Sequence, residues 1–120
     1  MADRVLIIDA DMRSRTVLGR ALRAAMMVTE AAVSGEDGIE GIAQAEYDLV
    51  LLDIDLPGID GFHVIQTVRQ RGSRVPMVVV SSHSEDYEQL YALDLGADDY
   101  VTKPFNPVVL AAKARALIRR

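Results

Sequence analysis

The chain runs to 120 residues, half of them hydrophobic, which suits one domain with a buried core. Its 13 Lys and Arg against 18 Asp and Glu leave a net charge of -5, so this segment is not expected to bind nucleic acid directly through the phosphates. There is no cysteine for a disulfide framework or a zinc–thiolate site, and Met-Ala-Asp-Arg reaches Asp9 after only four apolar residues, so no signal peptide, no membrane span and a cytoplasmic location are expected.

Short apolar runs alternate with helix-period segments along the chain, as stacked βα units require. The first run covers residues 5–8 and ends at Asp9. A helical face follows in Val17, Leu18, Ala21, Leu22 and Ala25, then a second run at residues 28–33 that mixes in Thr29 and Glu30. Ser34, three residues before Asp37, opens the next helix as a capping box, with Ile39, Ile42 and Ala43 on its apolar face. The third run, residues 49–52, closes on Asp53. Phe62, Ile65 and Val68 form the third helical face, which places His63 toward solvent, and Gly72 stops that helix. A fourth run at residues 77–80 leads to Ser81, and Gly96 stops the helix after it. The fifth run, residues 100–102, precedes Lys103, and Asn106 followed by Pro107 caps a last helix.

Runs one, three and four are almost wholly apolar, as strands buried on both faces must be, whereas runs two and five carry polar residues and belong at the edges. The expected fold is therefore α/β, a three-layer doubly wound (βα)5 sandwich over a five-stranded parallel sheet in the flavodoxin-like order 2-1-3-4-5. Ligands of such sheets bind beyond the carboxyl ends of the central strands. Asp9, Asp53 and Ser81 close those strands, and Lys103 follows the neighbouring edge. Carboxylates, a hydroxyl and an amine at one sheet edge suit a phosphoryl group and a divalent metal.

Residues 48–62, Asp-Leu-Val-Leu-Leu-Asp-Ile-Asp-Leu-Pro-Gly-Ile-Asp-Gly-Phe, resemble the phosphoacceptor segment of bacterial two-component response regulator receiver domains. Residues 96–105, Gly-Ala-Asp-Asp-Tyr-Val-Thr-Lys-Pro-Phe, resemble the same family's last strand and Lys-Pro turn, and the likeness runs with family-like spacing from Arg4 to Arg119. The resemblance implies a signalling switch rather than a turnover enzyme. Asp53 would be the phosphoacceptor, supplied by a sensor histidine kinase, a histidine phosphotransfer domain or a small acyl phosphate. Magnesium would sit on Asp9, Asp53 and the carbonyl of Asp55, with the Asp55 side chain and Asp11 as further candidates. Lys103 and Ser81 would hold the phosphoryl oxygens, Ser81 and Tyr100 would form the switch, and Asp55 and His83 would tune hydrolysis. The Lys103–Pro104 bond is a cis candidate on the same ground. The plainer alternatives make Asp11 a helix cap and His83 a loop residue that caps the next helix with Ser84.

One position departs from the family. The usual pair of adjacent acids after the first strand reads Asp9-Ala10 here, which weakens the expected magnesium site. Ala10 keeps open a second reading, a pseudo-receiver that binds partners with little metal-dependent chemistry. A third, a phosphohydrolase of the haloacid dehalogenase type suggested by Asp53-Ile54-Asp55, is set aside. Residues 104–120 hold no Asp or Glu for the acidic motif such an enzyme needs, and its nucleophile strand would come first rather than third.

The resemblance also implies an output face made by the fourth helix, fifth strand and fifth helix, through which such domains homodimerise. This chain keeps Asp94, Asp98, Asp99, Lys113 and Arg119 there but has Gln89, Tyr91 and Val109 where the shared salt bridges draw on charged residues. Tyr87, Tyr91 and Val109 are expected to form an apolar patch instead. Arg115, Arg119 and Arg120 complement the dipole of the last helix. The expected organisation is one receiver over residues 1–120, standing alone or as the front of a longer regulator.

Overall fold

A computed structural model describes residues 2–120. Five strands alternate with five helices: β1 (Arg4–Ile8), α1 (Met12–Ala24), β2 (Val28–Ala32), α2 (Gly35–Gln44), β3 (Leu49–Leu52), α3 (Gly61–Gln70), β4 (Met77–Ser81), α4 (Asp86–Leu95), β5 (Asp99–Thr102) and α5 (Pro107–Arg119). All pairings are parallel and the strand order is 2-1-3-4-5, as the distribution of apolar residues predicts. β3 and β4 are buried along their whole lengths, and β1 from Val5 onward, while β2 is largely exposed at its edge.

Side chains alternate across the sheet and build a core on each face. Leu6, Ile8, Val50, Leu52 and Val79 meet Val64, Ile65 and Val68 of α3 on one side. Val5, Ile7, Leu49, Leu51, Val78 and Val80 meet Leu18 and Leu22 of α1 and Leu110, Ala114 and Leu117 of α5 on the other. The helical faces are narrower than their periodicity suggests, because Val17 and Ala43 lie at the rims and remain exposed.

Helix ends follow local chemistry. Asp11 caps α1 by accepting from the Arg13 N–H, Ser34 caps α2 through Asp37, and Asn106 caps α5 through Val108 and Val109. The cap at Ser34 turns the chain out of the sheet, so β2 ends at Ala32, one residue before the expected limit, and Val33 is exposed. Arg69 ties the opposite end of the sheet together. Its guanidinium donates to the carbonyls of Gly96, Ser73 and Val75 and to the Asp98 carboxylate, which also accepts from the Met77 N–H. No helix among the described residues is long and apolar enough to cross a membrane.

Gly61, the first residue of α3, lies against the backbone that carries the third-strand carboxylate. A Cβ there would stand 2.4 Å from the Asp53 carbonyl oxygen and 2.8 Å from Ile54 Cα. Neither neighbour is a flexible side-chain end, so Gly61→Ala is expected to cost about 1–3 kcal/mol by overpacking. Urea unfolding checks this through a lower midpoint at an unchanged slope.

Candidate functional site

Parallel strands that start in register deliver their last residues to one edge. Among the described residues, three polar or charged side chains are buried, and they are Asp9, Asp53 and Ser81, at 1%, 8% and 0% exposure. Each follows or ends a central strand. The Asp53 N–H donates to the Ile8 carbonyl at 2.9 Å, which sets Asp53 beside Asp9, and the Lys103 N–H donates to the Ser81 carbonyl at 2.8 Å, which brings the edge-strand lysine level with them.

Buried carboxylates are costly unless paired and hydrogen-bonded. Lys103 supplies the pairing for both, its Nζ donating to Asp53 Oδ2 at 2.9 Å and to Asp9 Oδ2 at 3.0 Å. The second oxygen of each acid is bonded to the backbone two residues on: Asp9 Oδ1 accepts from the Asp11 N–H at 2.9 Å and Asp53 Oδ1 from the Asp55 N–H at 3.2 Å. Ser14 Oγ adds a bond to Asp9 Oδ2 at 2.6 Å, and Arg15 donates to the Asp9 carbonyl at 2.9 Å. Burial lowers the proton affinity of the Lys103 amine, but the bonds to Asp53 and Asp9 outweigh it and hold the value above the ordinary lysine range. The amine is thus a cation at neutral pH. The Lys103–Pro104 peptide is cis.

A second set of groups flanks this cluster. Ser81 Oγ accepts from the His83 N–H at 3.1 Å, and Tyr100, 7% exposed, donates from its hydroxyl to the His83 carbonyl at 2.7 Å. Burial raises the Tyr100 phenol above its usual value. The His83 ring lies between two acids, Nε2 2.8 Å from Asp55 Oδ1 and Nδ1 2.7 Å from Glu88 Oε2. Its value is raised, first by the bond to Asp55 and further by Glu88, against a smaller opposing effect of burial.

The structure brings Asp9, Asp53 and Lys103 into direct contact and joins Ser81 to Tyr100 through the backbone of His83. Of the residues given alternative roles, Asp11 takes the capping one, while Asp55 and His83 pair with each other. The Asp11 side chain is exposed and caps α1, outside the acid cluster. The Asp55 side chain turns to His83 rather than to Asp9 and Asp53. His83 does not cap α4, whose N-cap is Glu85 without a side-chain bond, because both ring nitrogens are taken by Asp55 and Glu88. Ser14 and Glu88 escape sequence reasoning. Their one signal is position, each five residues beyond a site residue and within the first turn of a helix.

The donors suit a hard divalent cation, though sparely. Ala10 is an exposed methyl where the family pattern has a second acid, and among the described residues no three His, Cys, Asp or Glu group as a metal cage. Two carboxylates, Asp9 and Asp53, still fit magnesium, which commonly keeps several waters and takes one or two carboxylates plus phosphate oxygens.

Of the residues expected to form an apolar patch, Tyr87 and Tyr91 on α4 and Val109 on α5 are each exposed. Tyr91 also packs edge-on against Phe62, centroids 4.9 Å apart. Two of the retained charges are engaged inside the chain, Asp98 with Arg69 at 3.1 Å and Asp99 with Lys113 at 3.4 Å. A separate apolar groove of about 210 Å³ between α1 and α5, lined by Ala21, Ala25, Val108, Ala111 and Arg115, includes none of the site residues.

Comparison with known proteins agrees with this geometry. The sequence profile of the response regulator receiver domain matches residues 5–115. The chain is 39% identical over 116 residues to the transcriptional regulatory protein AfsQ1 of Streptomyces coelicolor, covering 97% of this chain and 51% of AfsQ1. It is 45% identical over 89 residues to the transcriptional regulatory protein DltR of Streptococcus agalactiae, covering 74% of this chain and 40% of DltR. The chain thus spans about half the length, or less, of these curated relatives. Among solved structures, the BeF3-activated N-terminal receiver domain of Klebsiella pneumoniae RstA superposes with a TM-score of 0.92 at 31% identity, covering 98% of this chain and 100% of that one.

In metal-free protein the His83 ring is expected to titrate above the ordinary histidine value of about 6.5, and Asp55→Asn to lower its midpoint. Because the folded-state value is raised, the ring's contribution to stability is complete below the unfolded value and is lost as pH rises through the folded one. Histidine resonances followed by NMR against pH check both statements.

Proposed function

From a chain that belongs to the response regulator receiver domain family, we infer a phosphorylation switch in which Asp53 accepts the phosphoryl group. The observation that carries this reading is the shared ammonium of Lys103, bonded to both Asp9 and Asp53. An Asp53 oxygen forms the bond to phosphorus. The bond from phosphorus to the nitrogen of a kinase histidine, or to the oxygen of an acyl phosphate, breaks and its electron pair leaves with the donor. Lys103 offsets part of the acids' charge beforehand and holds phosphoryl oxygens afterwards. Ser81 accepts from the His83 N–H, which leaves its own hydroxyl hydrogen free for a phosphoryl oxygen. A bound magnesium ion, held by Asp9, Asp53 and the Asp55 carbonyl, would neutralise further charge on the transferred group.

The response passes through Ser81, His83 and Tyr100 to the α4–β5–α5 face. There the exposed Tyr87, Tyr91 and Val109 meet a second copy of the chain or an output segment. On the input side the partner is a sensor histidine kinase or a histidine phosphotransfer domain, which places the exchange in the cytoplasm. The relatives' printed role as transcriptional regulatory proteins extends the reading to control of transcription through a further segment. The chain acts as a signalling domain, and removal of its phosphoryl group resets the switch.

A second reading, a binding module with weakened phosphorylation, draws on Ala10. Intact mass after incubation with a small acyl phosphate separates the two. The switch gains one phosphoryl group that requires magnesium and is lost in Asp53→Ala, and Lys103→Met slows the gain by about 10²-fold, the scale of losing one preorganised charge-stabilising donor. No adduct on folded wild-type protein supports the binding module. Ala10→Asp is expected to tighten magnesium binding measured by calorimetry, and unchanged affinity would mean that another carboxylate already fills the position.

A further inference from the structure

Charge is not spread evenly over this chain. Helix α1 carries Arg13, Arg15, Arg20 and Arg23, α5 carries Lys113, Arg115 and Arg119, and neither helix holds an acid. On the opposite face of the sheet the signs reverse. There α2 has Glu36, Asp37 and Glu40, and α4 has Asp86, Glu88 and Asp94, with no Lys or Arg in either. A chain of net charge -5 therefore turns one basic layer to solvent. Helix dipoles account for Arg23 and Arg119 in the last turns, whereas Arg20 and Arg115 lie further in. Both are exposed, and among the described residues neither pairs with an acid.

Those two arginines border the apolar groove between α1 and α5. Ala21 and Ala111 are its buried floor, Ala24, Ala25 and Val108 complete the lining, and Arg115 forms a rim. Arg20 stands one turn before Ala24 and borders the groove from the α1 side.

The complement to this groove is on the same molecule. Along α4, Tyr87, Leu90 and Asp94 fall in one row at i, i+3 and i+7, and Asp86 stands one turn before Leu90. All four are exposed, and neither acid is in an ion pair. An apolar row flanked by acids matches an apolar floor flanked by arginines, so burying Tyr87 and Leu90 goes together with pairing opposite charges. Because α4 and the α1–α5 pair lie on opposite faces of the sheet, one chain cannot bring them together. Two copies can.

We propose that the α1–α5 groove receives α4 of a second copy, with Tyr87 and Leu90 against its alanine floor and Asp86 and Asp94 against its arginines. The proposal rests on the reading in which α4 meets a second copy, and it names the surface that α4 meets. The contact is heterologous. Each added copy leaves one groove and one α4 free, so assembly continues head to tail instead of closing as a pair.

Sedimentation of the whole chain tests this at low and high salt, over concentrations up to about 1 mM so that weak contacts populate. At low salt the average mass is expected to climb past that of two copies, and to fall back toward one as salt screens the rims. Reversing the groove with Arg20→Glu and Arg115→Glu, or the helix with Asp86→Arg and Asp94→Arg, weakens association about tenfold or more. The chain carrying all four substitutions regains it, because both surfaces are reversed together. Urea midpoints near wild type show that the variants fold. Association that the helix variant loses and the groove variant keeps leaves the α4 reading standing and overturns this one. A monomer at every concentration, an association indifferent to salt, or no recovery in the fourfold variant also overturns it. A wild type that stays monomeric yet binds anionic vesicles or duplex DNA through Arg20 and Arg115 assigns the groove to that partner instead.

Discussion

One ammonium group between two buried carboxylates is the constraint on which the rest of this molecule's chemistry depends. Asp9 and Asp53 follow adjacent parallel strands, so the register of β1 with β3 places two negative charges side by side. Neither charge is tolerable there without a partner, and the partner arrives from the far end of the chain, after β5. The same arrangement that makes the acids bearable in the fold makes one of them usable. One cation offsets part of the charge of the two acids, and in the proposed reaction it is in place to hold the charge that arrives.

Residue 83 carries the consequence outward. Its backbone joins the Ser81 hydroxyl to the Tyr100 hydroxyl, and its ring joins the acceptor loop to α4. Any rearrangement of Ser81 around a new phosphoryl oxygen alters a hydrogen bond to the residue that positions the others. In the proposed switch the two-state element would be this shared set of bonds rather than a remote influence. The exposed Tyr87, Leu90 and Tyr91 lie on α4, which this set of bonds touches through Glu88. Asp98 and Asp99 are held by Arg69 and Lys113 within the chain.

Much of this was legible in the sequence because it follows from burial. Leu49 to Leu52 and Met77 to Val80 have no polar side chain to show solvent, so their strands belong in the middle, and the strand order and the identity of the site edge follow. Asp9, Asp53, Ser81 and Lys103 stand at strand ends, where direction is settled by topology alone. What was not legible depends on rotamers and on how far a helix leans toward a loop. Ser14 reaches Asp9 from the first turn of α1, which Asp11 caps, and the Asp55 carboxylate meets a His83 ring that also touches Glu88 on a different helix. Ala10 was visible as a missing acid, yet only the coordinates show how few carboxylates remain to face a cation.

The most direct measurement follows backbone amide resonances as beryllofluoride, a phosphoryl mimic, and magnesium are added to wild type, Asp53→Ala and Lys103→Met. The account predicts that Ser81, His83 and Tyr100 shift together in wild type, and that both substitutions abolish the shift while leaving the remaining spectrum folded. Identical shifts in Asp53→Ala, or none in wild type at saturating magnesium, would contradict it.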